Sequence, residues 1–524
     1  MRCSTPRRWT KPSNRLRRAG LILALPFAAF PGHAQDLDDL HLNALPRTEQ
    51  ESARAALVLG PPEDPSRPQR FELRSGGAGT VRARSTVDAF AQPAANLTLE
   101  QGMTFELGEA LFSRPWASAP ASTTASDGLG PLFNARACAD CHPNGGRAGP
   151  PDPDPAAPSH PGMFLRVAIP APEGTPTPEG IAEYISTLPD PVYGDQLQDD
   201  AIQGQLTEYR LAVTWEDIPV TLEGGETVTL RRPDWQAADP GFGPLHESAM
   251  LSPRVAPPLI GLGLIETIAT DDILALADPD DADGDGISGR ANIVWSREFD
   301  APMLGRFGLK AGMPTVREQS ASAFFHDVGL SSSLFPQGWG DCTEPQAACR
   351  QAPDGGDPQH DGHEISDTAL GLVTFFVTNL GVPARRDVGD PEVLRGRAIF
   401  REAGCADCHR PSFVTRTLAE DRTQHSFQLI WPYSDFLLHD MGEVLADGFA
   451  EARATGREWR TPPLWGIGLT EQVSGRGSYL HDGRARSLLE AILWHGGEAQ
   501  SARDTVVGLA PDDRAALLRF LRSL

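Results

Sequence analysis

Two short cysteine–histidine motifs carry the clearest chemistry in this sequence. Both copies have the spacing C-x-x-C-H, and they consist of Cys138, Cys141 and His142, and of Cys405, Cys408 and His409. A c-type haem is attached at this spacing, because each thiol can form a thioether with a haem vinyl group while the imidazole ligates the iron. A redox C-x-x-C pair does not need the histidine, and a zinc site would need further paired ligands nearby. The sequence therefore predicts two covalently bound haem c groups.

The N-terminus and the remaining cysteines indicate the cellular compartment in which the protein works. Residues 1–34 contain seven Lys or Arg and no acidic residue, with a short apolar stretch after the basic ones. This pattern predicts a signal peptide cleaved near Ala34 and a periplasmic location, and an N-terminal anchor helix is the alternative. Cys342 and Cys349 lie in a polar loop, and in an oxidising space we expect them to form a local disulfide. A reactive dithiol is the other interpretation of this pair.

The overall charge restricts the partners. Seventy acidic residues against 46 basic ones give a net charge of −24, and removal of the seven basic residues in 1–34 makes it −31. Nucleic acid is excluded as a partner, because binding its phosphates needs a basic surface. We expect no membrane span in the mature chain, since no apolar run approaches the ~20 residues that a span needs.

The haem motifs need helices to position them, and the sequence predicts two similar sets. One helix begins near Thr98, and another has Asp390 as its N-cap. Each helix carries a glycine four residues before a phenylalanine, which is how the N-terminal helix of a cytochrome c packs at a helix crossing. The face of the first helix that we expect to be buried comprises Leu99, Met103, Leu107, Leu111 and Phe112.

Partner helices are predicted from Asp367 to Leu380 and from Pro511 to the C-terminus. The expected fold is mainly α, with two cytochrome c-like helical domains, the first of which carries a large mixed α/β, loop-rich insertion. In that insertion, alternating residues on both sides of Gly224 and Gly225 predict a β-hairpin. The predicted parts are a signal peptide (1–34), an N-terminal extension (35–97), a first domain (98–385) with its insertion at about 163–358, and a second domain (386–524).

From about Thr98 onwards the sequence resembles the diheme oxidoreductase family, which is related to bacterial diheme cytochrome c peroxidases and is also labelled thiol oxidoreductase-like. The similar segments are 130–135 (GPLFNA), 252–266 (SPRVAPPLIGLGLIE), 283–290 (DGDGISGR), 305–308 (GRFG) and 479–485 (YLHDGRA). The resemblance implies two cytochrome c-like domains that face each other. One haem would hold electrons and the other would meet peroxide.

The resemblance also implies a sixth ligand for the second haem. In the peroxidases it stands fourteen positions after the histidine of an HDG motif, which His481 opens here, so the expected ligand is His495. Ser487 and Glu490 form a predicted capping box that starts the helix carrying His495. The peroxidases mostly have methionine at this position, and bis-histidine ligation lowers a haem potential relative to His/Met. Met441 is the competing ligand, while His481 is expected to be structural or to lie between the haems.

The distal side of the first haem is open to two interpretations. Peroxidase chemistry needs a free or labile sixth position and an acid–base group, which the relatives supply as a carboxylate. Glu266, at the end of an apolar run in a shared segment, is the candidate catalytic residue. Alternatively, one of three histidines ligates the iron and blocks it, namely His160, His246 or His326.

An aspartate-rich loop imitates the start of a calcium site. It contains Asp281, Asp283 and Asp285, but position twelve is Asn292, where an EF-hand needs a bidentate glutamate. The loop is therefore not an EF-hand. A calcium ion bound by carboxylates and carbonyls and a plain Asp/Gly turn are both compatible with the sequence.

These features together predict a periplasmic diheme c-type cytochrome that reduces hydrogen peroxide with electrons from a small cytochrome or cupredoxin. The haem of His409 and His495 would accept or store electrons, and the haem of His142 would meet peroxide. Two alternatives stay open. One is an electron-transfer protein in which both haems are six-coordinate, and the other is an oxidase that acts on a protein or small-molecule substrate.

Overall fold

The computed structural model describes residues 37–60, 64, 66–123, 126–151, 162–419 and 422–524. The predicted signal peptide and His160 lie outside the described residues. Helix accounts for 29% and strand for 19% of the structure, so the expectation of a mainly helical chain is wrong and the fold is mixed. The excess of strand arises because the segments between the helices, rich in glycine and proline, form many small sheets. Within the described ranges, no helix is long and apolar enough to cross a membrane.

The helices of the described residues include every helix that the sequence predicts. In chain order they are α1 Glu49–Leu59, α2 Leu99–Phe112, α3 Cys138–Cys141, α4 Leu262–Glu266, α5 Thr270–Leu274, α6 Val316–Asp327, α7 Ala347–Arg350, α8 Asp367–Thr378, α9 Pro391–Glu402, α10 Cys405–Cys408, α11 Thr470–Ser474, α12 Leu488–Leu493, α13 Gln500–Val507 and α14 Pro511–Ser523.

The strands are mostly short and pair in twos. They are β1 Ala44–Leu45, β2 Ala117–Ser118, β3 Asp127–Leu129, β4 Leu132–Phe133, β5 Met163–Pro170, β6 Thr187–Leu188, β7 Gln196–Leu197, β8 Asp200–Ala201, β9 Arg210–Thr221, β10 Thr227–Ala238, β11 Met250–Val255, β12 Ile293–Ser296, β13 Ala301–Leu304, β14 Phe413–Val414, β15 Thr417–Leu418, β16 Leu429–Ile430, β17 Leu438–Asp440 and β18 Glu458–Arg460. The largest sheet has four strands, in which β5 pairs antiparallel with β11, β6 and β7.

Two helix crossings centred on glycine organise the chain around the cysteine motifs. In the first crossing α2 packs on α8, and a methyl group on Gly108 would overlap the carbonyl oxygen of Leu372. In the second crossing α9 packs on α14, and a methyl group on Gly396 would overlap the carbonyl oxygen of Ala516. Both pairs of helices therefore approach more closely than any residue with a side chain would allow.

An aromatic pair fills each crossing. The ring centroids of Phe112 and Phe376 are 5.0 Å apart in the first crossing, and those of Phe400 and Phe520 are 5.2 Å apart in the second. All four rings are buried. The two crossings thus repeat one packing scheme, in which one helix precedes a C-x-x-C-H motif in the sequence and the other follows it.

The start of α2 is predicted correctly, but its buried face is not. Thr98 and Gln101 form a capping box at its N-terminus. The helix buries Phe105, Gly108 and Phe112, whereas Leu99, Met103 and Leu107 are 87%, 62% and 59% exposed. The predicted apolar face is therefore wrong at Leu99, Met103 and Leu107, because the close approach at Gly108 decides which side of α2 meets α8. Its other two members follow the prediction, since Phe112 is buried and Leu111 is partly buried.

The other predicted helices have their expected ends. Asp390 caps α9, where its side chain accepts a hydrogen bond from the backbone N–H of Glu392, and Pro391 is the first helical residue. Ser366 caps α8 in the same way, through the N–H of Ala369. The stripe of α14 is buried at Leu517, Leu521 and Leu524 and partly buried at Leu518.

The predicted hairpin is confirmed as the longest strand pair of the described chain. Strands β9 and β10 pair antiparallel over twelve residues each, and Gly224 and Gly225 both take positive φ, as a tight hairpin turn requires. Leu222 and Leu230 near the turn join the apolar cluster around α9 and α14. The hairpin therefore reaches from the predicted insertion to the helices of the second motif.

The N-terminal extension is more ordered than its sequence suggests. It contains α1, started by a capping box of Thr48 and Glu51, and its β1 pairs with β15. Asp39 forms buried ion pairs, 2.8 Å to Arg306 and 2.8 Å to Arg416. The extension is thereby fixed to later parts of the chain.

The predicted disulfide between Cys342 and Cys349 is also present.

Candidate haem sites

The first C-x-x-C-H motif is one capped helical turn. In α3 the Asp140 carboxylate accepts hydrogen bonds from the backbone N–H groups of Arg136, at 3.1 Å, and Ala137, at 3.0 Å. This cap places both thiols on a single turn and lets the chain leave the helix at His142. The His142 Nδ1 donates to the carbonyl oxygen of Pro257 over 2.9 Å.

The second motif repeats this geometry. In α10 the turn begins after Gly404, whose positive φ of 83° suits glycine. The His409 Nδ1 donates to the carbonyl oxygen of Tyr433 over 2.9 Å. In the two motifs the imidazole stands 6.3 Å from the Phe112 ring and 6.2 Å from the Phe400 ring, measured between centroids.

The protonation of both histidines is that of iron ligands. When Nδ1 donates its proton to a carbonyl, the tautomer is fixed and Nε2 is left with a free lone pair. Burial lowers the pKa of His142 and of His409 to about 4, which keeps both imidazoles neutral near pH 7. Neutral imidazole with a free Nε2 is the form that binds haem iron.

The thiols and two arginines fit covalent haem. Burial raises the pKa of Cys138 and of Cys405 to about 12, so both are protonated thiols in this chain, whereas a reactive dithiol needs a lowered pKa. Arg147 and Arg410 follow the two motifs, and the Nε of each is buried without a hydrogen-bond partner among the described residues. Such donors suit the carboxylates of a haem propionate. The residues present therefore fit one haem at each motif.

His495 has the same donor pattern as the two motif histidines. It follows α12, which Ser487 caps through the N–H of Glu490, and its Nδ1 donates to the Ala491 carbonyl oxygen over 2.7 Å. Burial lowers the pKa of His495, and His495 lies close enough to His409 to lower the pKa of that imidazole as well. The two histidines are thus close enough to interact electrostatically, and their ligation of one iron stays a prediction. The competing Met441 is partly buried against the apolar cluster around α9 and α14.

His481 is stacked on a tryptophan ring and hydrogen-bonded to the segment that precedes Pro257. Its ring is 3.9 Å from the Trp459 ring, with 13° between the planes, and burial lowers its pKa to about 3. Its carbonyl oxygen accepts a hydrogen bond of 2.7 Å from Val255, two residues before the Pro257 that binds His142. These contacts fit the expected structural or inter-haem position.

Glu266 is buried in an ion pair that the sequence did not reveal. One carboxylate oxygen pairs with Arg422, and the other accepts from the N–H of Val316 over 2.7 Å, at the start of α6. Burial acts to raise the pKa of Glu266, but Arg422, His41 and these hydrogen bonds bring it below its ordinary value. Glu266 is therefore an anion near pH 7. Arg422 was not predicted, because it lies 156 positions away in the sequence.

Two of the three alternative histidines, His246 and His326, are described by the structure, and their surroundings differ. His326 is buried near the end of α6, where its Nδ1 donates to the Ser322 carbonyl oxygen over 2.9 Å. The next residue, Asp327, accepts backbone hydrogen bonds from Asn134 and Ala135, just before the first motif. His246 is exposed and its Nδ1 accepts from the N–H of Ser248. Of the two described histidines, only His326 has the buried position and the donor pattern of a ligand.

The aspartate-rich loop holds its carboxylates together. Ligand oxygens of Asp281, Asp283 and Asp285 lie within 4.8 Å of one another, a spacing that a metal ion can bridge. The same carboxylates accept hydrogen bonds from backbone N–H groups of their own loop, including that of Gly286. The geometry is compatible with both predicted interpretations, a bound cation and a plain turn.

The fold and the two motif sites define a protein with two covalent haem attachment points and an imidazole ligand ready at each. The family model described as "Di-haem oxidoreductase, putative peroxidase" matches residues 72–524, so the chain belongs to the di-haem oxidoreductase family. The resemblance inferred from the sequence is confirmed. Because the family is one of oxidoreductases, the chain is classed as an enzyme.

The other comparisons add little to this assignment. A search of curated proteins gave no match. A solved structure of hydrazine synthase from Kuenenia stuttgartiensis, pressurised with 20 bar xenon, is 19% identical and aligns over 36% of this chain and 64% of that one. Its TM-score is 0.20, and the likeness supports no inference about this chain.

Proposed function

We propose that the chain reduces hydrogen peroxide to water with electrons from a small cytochrome or cupredoxin in the periplasm. Two cytochrome c-like domains, one around each glycine crossing, would each carry one haem c. The observation that carries the proposal is the repeated donor pattern at His142, His409 and His495. Each directs Nδ1–H to a backbone carbonyl and leaves Nε2 free for iron.

The histidines of this chain would give the two haems different roles. Bound haem supplies the one-electron redox chemistry, and two electrons with two protons convert one H₂O₂ into two H₂O. His409 and His495 together would hold the second haem six-coordinate, which suits storage of an electron and excludes substrate from that iron. His142 would hold the first haem from one side and leave its other side open to peroxide.

Glu266 would move the proton at the first haem. Because it is an anion near pH 7, it can accept a proton from the peroxide oxygen nearer the iron and deliver it to the leaving oxygen. One segment connects it to the haem, since the Pro257 that binds His142 begins the run that ends at Glu266. Arg422 would hold the carboxylate ionised between turnovers.

A backbone connection joins the two motifs and supports electron sharing. The His481 loop contacts the first part of the chain twice, through Val255 and through Arg147, whose guanidinium donates to the Leu480 carbonyl oxygen over 2.7 Å. The same loop leads into α12 and His495. Electrons taken up at the second haem would thus have a short bonded route toward His142.

One observation favours a second candidate function. His326 is buried near the first motif with the donor pattern of a ligand. If it bound the first iron, both haems would be six-coordinate and the chain would only transfer electrons. The ion pair between Glu266 and Arg422 would then serve stability alone.

The spectrum of the purified ferric protein separates the two functions. We expect two haems per chain, one low-spin and one high-spin, and rapid oxidation of the reduced protein by peroxide. Two purely low-spin haems and no turnover with any reduced donor would support electron transfer only. Fewer than two haems per chain would contradict both functions.

A further inference from the structure

His439 lies in a buried cluster that the proposed reaction does not use. The residue is the middle one of β17, and it is 3% exposed. Nδ1 is 2.7 Å from a carboxylate oxygen of Glu498, and Nε2 is 2.8 Å from a carboxylate oxygen of Asp435. Both ring nitrogens of one buried imidazole therefore face carboxylates.

This geometry fixes the charge of the ring. An ionised carboxylate only accepts hydrogen bonds, so each nitrogen of His439 has to donate, and the ring has to carry two protons. Burial alone would lower the pKa of His439, but hydrogen bonds with Asp435, Cys408 and Glu498 raise it well above its ordinary value. His439 is thus an imidazolium across the neutral pH range.

The cluster is held against the second haem motif. The Cys408 sulfur is 3.6 Å from Nδ1 of His439, and the backbone N–H of Asp435 donates to the Cys408 carbonyl oxygen over 2.9 Å. On the other side, Glu498 also accepts from the hydroxyl of Ser288, at 2.9 Å. The imidazolium therefore has little freedom to move away from the sulfur.

We propose that His439 is a positioning residue that keeps a positive charge beside the Cys408 sulfur and thereby raises the reduction potential of the second haem. The inference rests on the proposed function, because it requires a thioether-linked haem at Cys408. The imidazolium offsets the negative charges of Asp435 and Glu498, and less negative surroundings favour the reduced form of a neighbouring haem, because hydrogen bonds and net charge near a haem set its potential. The effect opposes the lowering expected from bis-histidine ligation.

The donor atoms of Cys408, Asp435 and His439 also lie within 4.8 Å of one another, which a metal ion could bridge. Covalent attachment of haem removes the cysteine from that set, because a thioether is a poor ligand compared with a thiolate. The carboxylates on both sides of the ring then leave the imidazolium as its stable form.

The test is a redox titration of the complete two-haem protein at pH 8, with each haem followed by its own spectrum. His439→Gln keeps a hydrogen-bonding side chain but removes the charge. We expect it to lower the reduced-to-oxidised ratio of the second haem at least tenfold at a fixed potential, about 59 mV for a one-electron couple. His439→Lys keeps the charge and should restore most of that ratio.

Arg457→Gln is the matched control. Arg457 pairs with Asp440 and Glu443 beside β17, but its side chain is 47% exposed, so water and salt screen its charge. We expect its loss to leave the titration unchanged. An unchanged ratio in His439→Gln, or an equal drop in His439→Lys, would overturn the inference.

A measurement on the wild-type protein tests the inference even if the His439 variants fail to fold. In the reduced protein labelled with ¹⁵N-histidine, with carbon monoxide bound at the five-coordinate first haem so that both irons are low-spin and diamagnetic, one imidazole should keep both nitrogens protonated at pH 8. A neutral His439 with one bare nitrogen would overturn the inference while leaving the proposed function intact. Absence of haem from Cys405 and Cys408 would instead contradict the proposed function.

Discussion

At the scale of single residues, the clearest prediction concerns His495. His495→Ala should convert one low-spin haem to high-spin and change its reduction potential, because the iron loses its strong-field sixth ligand. Optical and electron paramagnetic resonance spectra of the ferric protein measure this change. Met441→Leu is the control and should leave both haems as in the wild type. If the spectral change appeared in Met441→Leu instead, Met441 would be the ligand.

Glu266→Gln should lower peroxide turnover at least ~100-fold while both haems remain bound, because an amide cannot carry the proton. It should also destabilise the protein by roughly 3–5 kcal/mol at pH 7, since Arg422 loses its buried partner. The pKa of Glu266 is below its ordinary 4.5, so its stabilising effect is present above that pH and is lost as pH falls through the lowered value. The difference in stability from wild type should therefore vanish in acid.

Arg422→Gln separates the catalytic and structural effects of Glu266. Without the guanidinium, burial dominates and the pKa of Glu266 rises. We expect turnover to persist, with the acid limb of its pH profile moved to higher pH. A wild-type rate in Glu266→Gln would show that the carboxylate is only structural.

The attachment residues could be predicted from the sequence because six residues in two fixed spacings determine them. The spacing from His481 to His495 is similarly local. The partners of Glu266 and His439 could not be predicted in this way. Arg422 and Glu498 reach them across 156 and 59 positions, and only the folded backbone determines those neighbours.

At the scale of elements, the glycine crossing of α2 and α8 gives a paired test. Gly108→Ala should lower the free energy of unfolding by about 1–3 kcal/mol or more, because the added methyl group would overlap a backbone carbonyl that cannot move aside. Gly102→Ala, on the same helix, meets no atom within 4 Å and should raise the stability by about 0.5–1 kcal/mol. Denaturant unfolding of the haem-loaded protein measures both. Equal effects of the two substitutions would contradict the close crossing.

The helices were predictable because their caps are local in sequence, as at Thr98 and Asp390. The face that each helix buries was less predictable. A stripe of Leu99, Met103 and Leu107 has the period of a buried face, yet the glycine side of α2 packs more closely and leaves this stripe exposed. The short strands escaped prediction because two or three residues form no recognisable alternation.

At the scale of the whole molecule, segments far apart in sequence hold the haem motifs in place. The N-terminal extension pairs with β15, the hairpin reaches the cluster of α9 and α14, and the His481 loop binds Val255. Each connection joins residues of the first part of the chain to residues of the second. Changes in one motif's surroundings are therefore expected to affect the other.

The negative net charge of the protein should govern its association with a redox partner. At −24 for the full sequence, the protein should attract a basic redox partner over a long range and speed their encounter. The rate of electron uptake from a basic cytochrome should fall as salt rises through ~0.1 M, where the Debye length is near 10 Å. Stopped-flow reduction at several ionic strengths measures this rate. An uncharged small-molecule reductant is the control, and its rate should not change with salt. A rate with the physiological donor that did not depend on salt would show that docking relies on apolar contact instead.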